Sequence, residues 1–152
     1  MGQFLGTHVN RLDRKGRVSV PAAFRAALAK FDTAELILRP SHKSPCIEAW
    51  PEHAYRRLAD QLDQLDAFSD AYDDLAFTLY ADAHPATPDG EGRIVLSERL
   101  IAHAGLGETV AFVGLGKRFQ IWEPAAAARA VAERMARARE QGLAVPHGRA
   151  TP

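Results

Sequence analysis

Two short runs of residues carry the clearest potential for chemistry. Asp13-Arg14-Lys15-Gly16-Arg17 sets three cations beside one carboxylate around a glycine. Asp followed by Gly three residues later is type I turn chemistry. Arg14, Lys15 and Arg17 are therefore expected to project together from a hairpin tip. Arg offers a bidentate fork to guanine, and Lys a point charge to phosphate. Arg11 and Arg25 stand close by and would thicken this positive field. A second role for Arg17, compatible with the first, is an ion pair to Asp13 that pins the turn. The run Asp89-Gly90-Glu91-Gly92-Arg93 has the same outline but one cation and two acids, with Glu91 in the place of Lys15. Asp89 is expected to fix its turn as Asp13 does. Arg93 is the weaker nucleic-acid candidate, equally suited to holding the turn against Asp89.

The other reactive residue types lack the spacing for catalysis or metal binding. The histidines at 8, 42, 53, 84, 103 and 147 show no metal-ligand pattern. The one cysteine, Cys46, lies beside Ile47 with no evident histidine base. It excludes an intrachain disulfide and a cysteine-built zinc site, and suits a reducing cytosol. Gly114-Leu115-Gly116-Lys117 fails as a phosphate loop, because Ala111 stands where a glycine is needed and Arg118 replaces Ser/Thr. Asp60, Asp63, Asp66, Asp70, Asp73 and Asp74 fall at three- and four-residue steps, so one acidic helix face is expected. It reads as a solvated face or as a docking face for a basic partner or neighbouring subunit, without calcium-loop spacing. Arg129, Arg134, Arg137 and Arg139 follow Trp122 on a second helix, either solvated or facing a polyanion. No catalytic residue, metal site, cofactor or enzymatic activity is expected.

The elements that must position these turns are legible as a repeat. Asp13, Gly16 and Arg17 of the first turn recur in register as Asp89, Gly92 and Arg93 of the second. Each turn is followed by an apolar run (Val18-Ser19-Val20, then Ile94-Val95-Leu96) and a helical stretch (Pro21 to Ala29, then Ser97 to Ala104). Ile47-Glu48-Ala49-Trp50-Pro51 matches Phe119-Gln120-Ile121-Trp122-Glu123-Pro124, so Trp50 and Trp122 are equivalent, with the second copy slightly shorter in between. Two landmarks in the same order point to a tandem duplication. Strands are expected at Phe4 to Leu12, Val18 to Val20, Leu36 to Leu38, Cys46 to Trp50, Val110 to Val113 and Arg118 to Trp122. Helices are expected at Pro51 to Leu65, Ser69 to Tyr80 and Pro124 to Gln141. A unit of half this chain's length is marginal alone, so the halves are expected to share one core. The strands flanking the two turns would then pair across a pseudo-twofold axis. The boundaries read as 1–68 for the first half, 69–81 for a connecting helix, 82–141 for the second half and 142–152 for a frayed tail.

Composition agrees with a single globular domain. The chain has 152 residues, 47% hydrophobic and 25% charged, enough apolar material for a core. Net charge is zero, yet residues 1–43 carry +5, residues 44–92 carry −9 and residues 93–152 carry +4. Such segregation suits contact with a polyanion, self-association of unlike patches, or simply one acidic helix. No run of 18 uncharged apolar residues exists to span a membrane. MGQFLGTHV lacks a secretory leader's pattern, and Gly6 stands where myristoylation needs Ser/Thr.

Phe4-Leu5-Gly6-Thr7, Asn10-Arg11-Leu12-Asp13, Lys15 through Pro21 and the second Asp89-Gly90-x-Gly92-Arg93 resemble the MraZ family, over about Phe4 to Gln141. The resemblance implies an α+β fold: a tandem-duplicated, AbrB-like swapped-hairpin β-barrel with flanking helices. It implies a cytoplasmic, nucleoid-associated transcriptional regulator that binds double-stranded promoter DNA at direct repeats. The promoter would be that of its own operon, upstream of division and cell-wall genes, and the subunits would assemble into a ring. DNA contact carries over to Arg14, Lys15, Gly16 and Arg17, with Arg11, and more weakly to Arg25 and Arg93. Two other classes compete. An AbrB-type antitoxin would carry one such half and a long neutralising tail, against the two halves and short tail here. A ring-forming scaffold would bind protein through its acidic helix.

Overall fold

A computed structural model describes residues 2–147. It is a mixed α+β structure with antiparallel strands and five α-helices. Each half runs strand, turn, strand, helix, strand, strand, helix. The first half comprises β1 (Thr7–Arg11), β2 (Arg17–Ser19), α1 (Ala22–Leu28), β3 (Leu36–Pro40), β4 (Ile47–Pro51) and α2 (Glu52–Leu62). Then come α3 (Asp70–Ala76) and one π-helical turn, Phe77–Ala81. The second half comprises β5 (His84–Ala86), β6 (Arg93–Val95), α4 (Glu98–Ala104), β7 (Thr109–Gly114), β8 (Phe119–Trp122) and α5 (Pro124–Glu140).

Pairing exchanges strands between the halves. The six-stranded sheet has the order β1-β7-β8-β4-β3-β5, while β2 and β6 form a separate two-stranded ribbon. In the ribbon Val18 faces Ile94, its own counterpart in the repeat. At the sheet centre Glu48 faces Gln120, again its counterpart in the repeat. Residues that pair with their own equivalents lie on a twofold axis, so the pseudo-twofold passes through both places. The expected pairing holds for β2 and β6. The first strands β1 and β5 instead pair with β7 and β3, at the two edges of the sheet. No closed barrel is present among the described residues, because β1 and β5 end an open sheet.

One core lies between the inner sheet face, the ribbon and α1 and α4. Phe4, Phe24, Phe112 and Phe119 are fully buried there and draw on both halves. Their rings meet edge-on or tilted, with centroids 5.0 Å apart for Phe4–Phe119 and Phe24–Phe119 and 5.3 Å for Phe4–Phe24. The fully buried Leu36, Leu38, Ile47 and Ile121 fill the sheet side, in the alternation a half-covered strand requires. On the other sheet face, Ala127 of α5 packs with Ala111, Val113, Trp122 and Cys46.

Local chemistry sets the helix ends. The Ser97 hydroxyl accepts the Leu100 N–H and Gly105 closes α4 in the left-handed region at φ 61°. Glu123 accepts the N–H groups of Ala125 and Ala126, and Pro124 occupies the first turn of α5. The expected strand Phe4 to Leu12 is interrupted, since Gly6 takes φ 85° and only Phe4 bridges on to Gly116. The continuous acidic helix from Asp60 to Asp74 is absent. Helix α2 ends at Leu62, Asp66 takes the Phe68 N–H on its side chain, and Ser69 caps a new helix through Tyr72. Helix α3 and its π-turn together cover the expected helix Ser69 to Tyr80, with Ser69 as the cap and the last turn π-helical, and the Tyr55 hydroxyl ties them to α2 through the Leu79 carbonyl. Of the expected frayed tail, residues 148–152 lie outside the described residues.

Candidate nucleic-acid interface

The two turns are built alike, atom for atom. In the first, Asp13 Oδ1 accepts the N–H groups of Lys15 (2.9 Å) and Arg17 (2.8 Å), and Oδ2 accepts Arg17 Nε at 2.7 Å. The Gly16 N–H donates to the Asp13 carbonyl at 3.1 Å. In the second, Asp89 Oδ1 accepts the N–H groups of Glu91 (2.9 Å) and Arg93 (3.0 Å), and Oδ2 accepts Arg93 Nε at 3.3 Å. The Gly92 N–H donates to the Asp89 carbonyl at 2.9 Å. Gly16 and Gly92 take φ 80° and 77°, a region open to glycine at little cost. A Cβ at Gly16 would also stand 2.4 Å from the Leu96 carbonyl oxygen, whose own N–H pairs back to the Gly16 carbonyl. Each glycine thus lets its turn press onto the opposite half.

Val18 and Ile94 are buried, so alternation turns Arg17, Ser19, Arg93 and Val95 to the outside of the ribbon. Antiparallel pairing then sets the two turns at opposite ends of that face. Arg14 and Lys15 are exposed and make no ion pair among the described residues. Leu12 pairs with Val18 and points inward, which leaves Arg11 on the same outer side as Arg17. Arg25 is the correction. It lies against Gly92 of the second turn, not beside the first, because α1 packs across the halves.

Both aspartates are held below the usual carboxylate range. The backbone N–H of Arg17 contributes most for Asp13, and that of Arg93 for Asp89, against a smaller desolvation effect. A group whose folded pKa is lowered stabilises the fold above its unfolded value, here 3.8, and loses that contribution as pH falls through the folded value. The amide resonances of Lys15, Arg17, Glu91 and Arg93 are therefore expected to hold from neutral pH down to about 4 and to collapse below it. An acid titration followed by NMR checks this, and a collapse centred near pH 6 would contradict it.

The remaining reactive groups settle into structure. Cys46 is fully buried, and burial pushes its thiol up to about 12, which leaves it unreactive. Gly114 ends β7 and Leu115 to Lys117 lie in the β7–β8 hairpin loop, where the Leu115 N–H donates to the Arg118 carbonyl. Among the described residues no group of three His, Cys, Asp or Glu is placed to hold a metal, and no helix is long and apolar enough to cross a membrane. Sequence reasoning missed the polar centre of the sheet. Buried Glu48 accepts Arg118 Nε at 2.8 Å and Gln120 Nε2 at 2.7 Å, and Arg118 lies 5.1 Å from the Trp50 ring centre. The available signal was Glu48 inside an apolar strand, aligned with Gln120 in the repeat.

A family described as "MraZ protein, putative antitoxin-like" matches the chain twice, over residues 3–77 and 79–141. "Transcriptional regulator MraZ" of Gluconacetobacter diazotrophicus is 59% identical over 149 residues, 96% of this chain and 93% of that protein. The protein of the same name from Gluconobacter oxydans is 54% identical, covering 95% of this chain and 88% of its own length. That from Pelagibacter ubique is 41% identical over 81% and 79% of the two chains. With its pinned turns repeated and the family matched along both halves, the chain belongs to the MraZ family.

Proposed function

We propose that this protein is a sequence-specific, double-stranded-DNA-binding transcriptional regulator acting at the promoter of its own operon, a division and cell-wall gene cluster. The β2–β6 ribbon carries this reading, with Arg17 and Arg93 on its outer face and uncommitted Arg14 and Lys15 at one tip. A two-stranded ribbon fits the major groove, about 12 Å wide. Arg17 is suited to guanine and Lys15 to phosphate. Homologues named as transcriptional regulators support the role, and the exchange of β1 and β5 between halves supports the AbrB-like swapped-hairpin scheme. A gel shift with the DNA upstream of its own gene tests the proposal. The antitoxin reading draws on the family description alone, and co-purification with a toxin would favour it.

The charge difference between the turns makes them unequal. Lys15→Ala is expected to weaken binding and to lower the slope of log affinity against log salt by about 0.9. Glu91→Ala removes an exposed acid that pairs with Arg93 at 3.4 Å, so binding should hold or rise. Equal losses from both variants would contradict the assignment.

A hairpin tip covers only a few base pairs, so promoter selection calls for several subunits reading successive direct repeats. A ring-like homo-oligomer supplies them through heterologous contacts. Phe68 and Phe77, 97% and 73% exposed, stand within the acidic segment. A groove of about 540 Å³ between α5 and the sheet, lined by Leu115, Trp122, Val131 and Met135, is flanked by Lys43 and Arg134. Acidic-apolar and basic-apolar surfaces on one chain suit head-to-tail assembly. Phe68→Ser is expected to reduce the particle mass seen by light scattering. A wild-type protein that stays monomeric at all concentrations would overturn the ring.

A further inference from the structure

The second turn carries no free cation of its own. Arg93 is engaged by Asp89 at 3.3 Å and by Glu91 at 3.4 Å, and Gly90 and Gly92 supply no charge. A cation reaches this end from the other half. Arg25 lies over Gly92 so closely that a Cβ there would stand 2.5 Å from its Cδ and 2.9 Å from its Cζ. Its Nε donates to the Val20 carbonyl at 3.0 Å, and the Val20 N–H donates in turn to the Gly92 carbonyl at 2.9 Å. The side chain is anchored to the turn, exposed, and without an ion pair among the described residues.

The equivalent position in the second half is Ile101, whose Cδ1 would lie 3.7 Å from a Cβ at Gly16. The first end thus has cations in its loop and an aliphatic group over its glycine. At the second end the loop carries an acid and the guanidinium lies over the glycine. We propose that Arg25 is the phosphate-binding cation of the second turn, lent across the halves, so that both ends of the ribbon engage the DNA backbone. Glycine at 92 admits it, because any side chain there would displace it. This rests on the DNA-binding reading above and adds a contact at the end where the loop alone predicts none.

Arg25→Met keeps an aliphatic stem over Gly92 and removes the charge. Arg25→Gln keeps an amide donor for the Val20 carbonyl and is the second variant. Binding to the upstream DNA is measured by fluorescence anisotropy over a salt series, beside thermal unfolding of each protein. Both variants are expected to fold and to bind about eightfold more weakly at 0.1 M salt, with the slope lowered by about 0.9. Adding Glu91→Lys to Arg25→Met is expected to restore affinity and slope, a rescue that a purely structural role would not allow. Wild-type affinity and slope in either folded variant, failure of the rescue, or unfolding of both variants would overturn the inference. Absence of binding by the wild-type protein would instead remove the DNA-binding reading on which it rests.

Discussion

Arg17→Ala is expected to abolish specific promoter binding in a protein that remains folded. Arg17 lies on the outer face of the ribbon, and its Nε is held at 2.7 Å by Asp13. The terminal guanidinium nitrogens make no hydrogen bond among the described residues. A side chain so oriented pays little entropy on binding. Losing one bidentate contact to guanine costs about 1–3 kcal/mol. The loss multiplies when several subunits engage successive repeats, since each tip acts as one arm of a multivalent particle. The effect on folding is small by comparison. The ion pair is 38% and 37% exposed on its two sides, and solvent screening leaves exposed pairs of this kind little weight in folding. Asp13 keeps both of its backbone N–H bonds in the variant, so the turn survives. Anisotropy at fixed salt, beside a circular dichroism melt, separates the two effects. A folded Arg17→Ala protein with wild-type affinity would contradict the assignment of the ribbon.

The turns were legible in the sequence because their chemistry is local. Asp13 and Gly16, and Asp89 and Gly92, specify their hydrogen bonds within a single tight turn, with no need of the rest of the chain. The duplication was legible for the same reason, from spacing alone. Strand partnership was legible only for β2 and β6. β1 joins β7 rather than a strand of its own half, and β3 and β7 both read as continuous apolar runs, Leu36-Ile37-Leu38 and Val110-Ala111-Phe112-Val113, with no alternation to tell them apart. The choice is made by the shared core, which joins positions from opposite ends of the chain. Arg25 illustrates the consequence. It stands close to Arg17 in sequence, yet helix α1 carries it over the other half's turn. The acidic segment failed for a different reason. Its three- and four-residue steps continue past Leu62, but the Asp66 and Ser69 side chains take up backbone N–H groups there and start a new helix. Capping by short polar side chains outweighed periodicity, as it does wherever a helix has no apolar face to hold it in register.

Phe24→Ala is expected to produce the largest loss of stability. Phe24 is fully buried, and its ring meets Phe4 of its own half and Phe112 and Phe119 of the other, at 5.3, 6.3 and 5.0 Å. Truncating a buried Phe to Ala costs about 3–5 kcal/mol through lost transfer energy and the cavity left behind. The lost edge-on contacts add about 0.5–1.5 kcal/mol each where they are well formed. Domains of this size hold about 5–15 kcal/mol in all, so the variant should be close to unfolded at growth temperature. The cavity would open where the rings of both halves meet, which leaves neither half a complete core. Urea denaturation of wild type and variant is therefore expected to show one cooperative transition in each, with the variant's midpoint far lower. The fall in DNA affinity should follow the fraction unfolded, unlike that of Arg17→Ala, which leaves the melt in place. Two separate transitions in the wild-type protein would show instead that the halves fold independently. A midpoint shift worth less than about 1 kcal/mol would show that the ring cluster is not the centre of the fold.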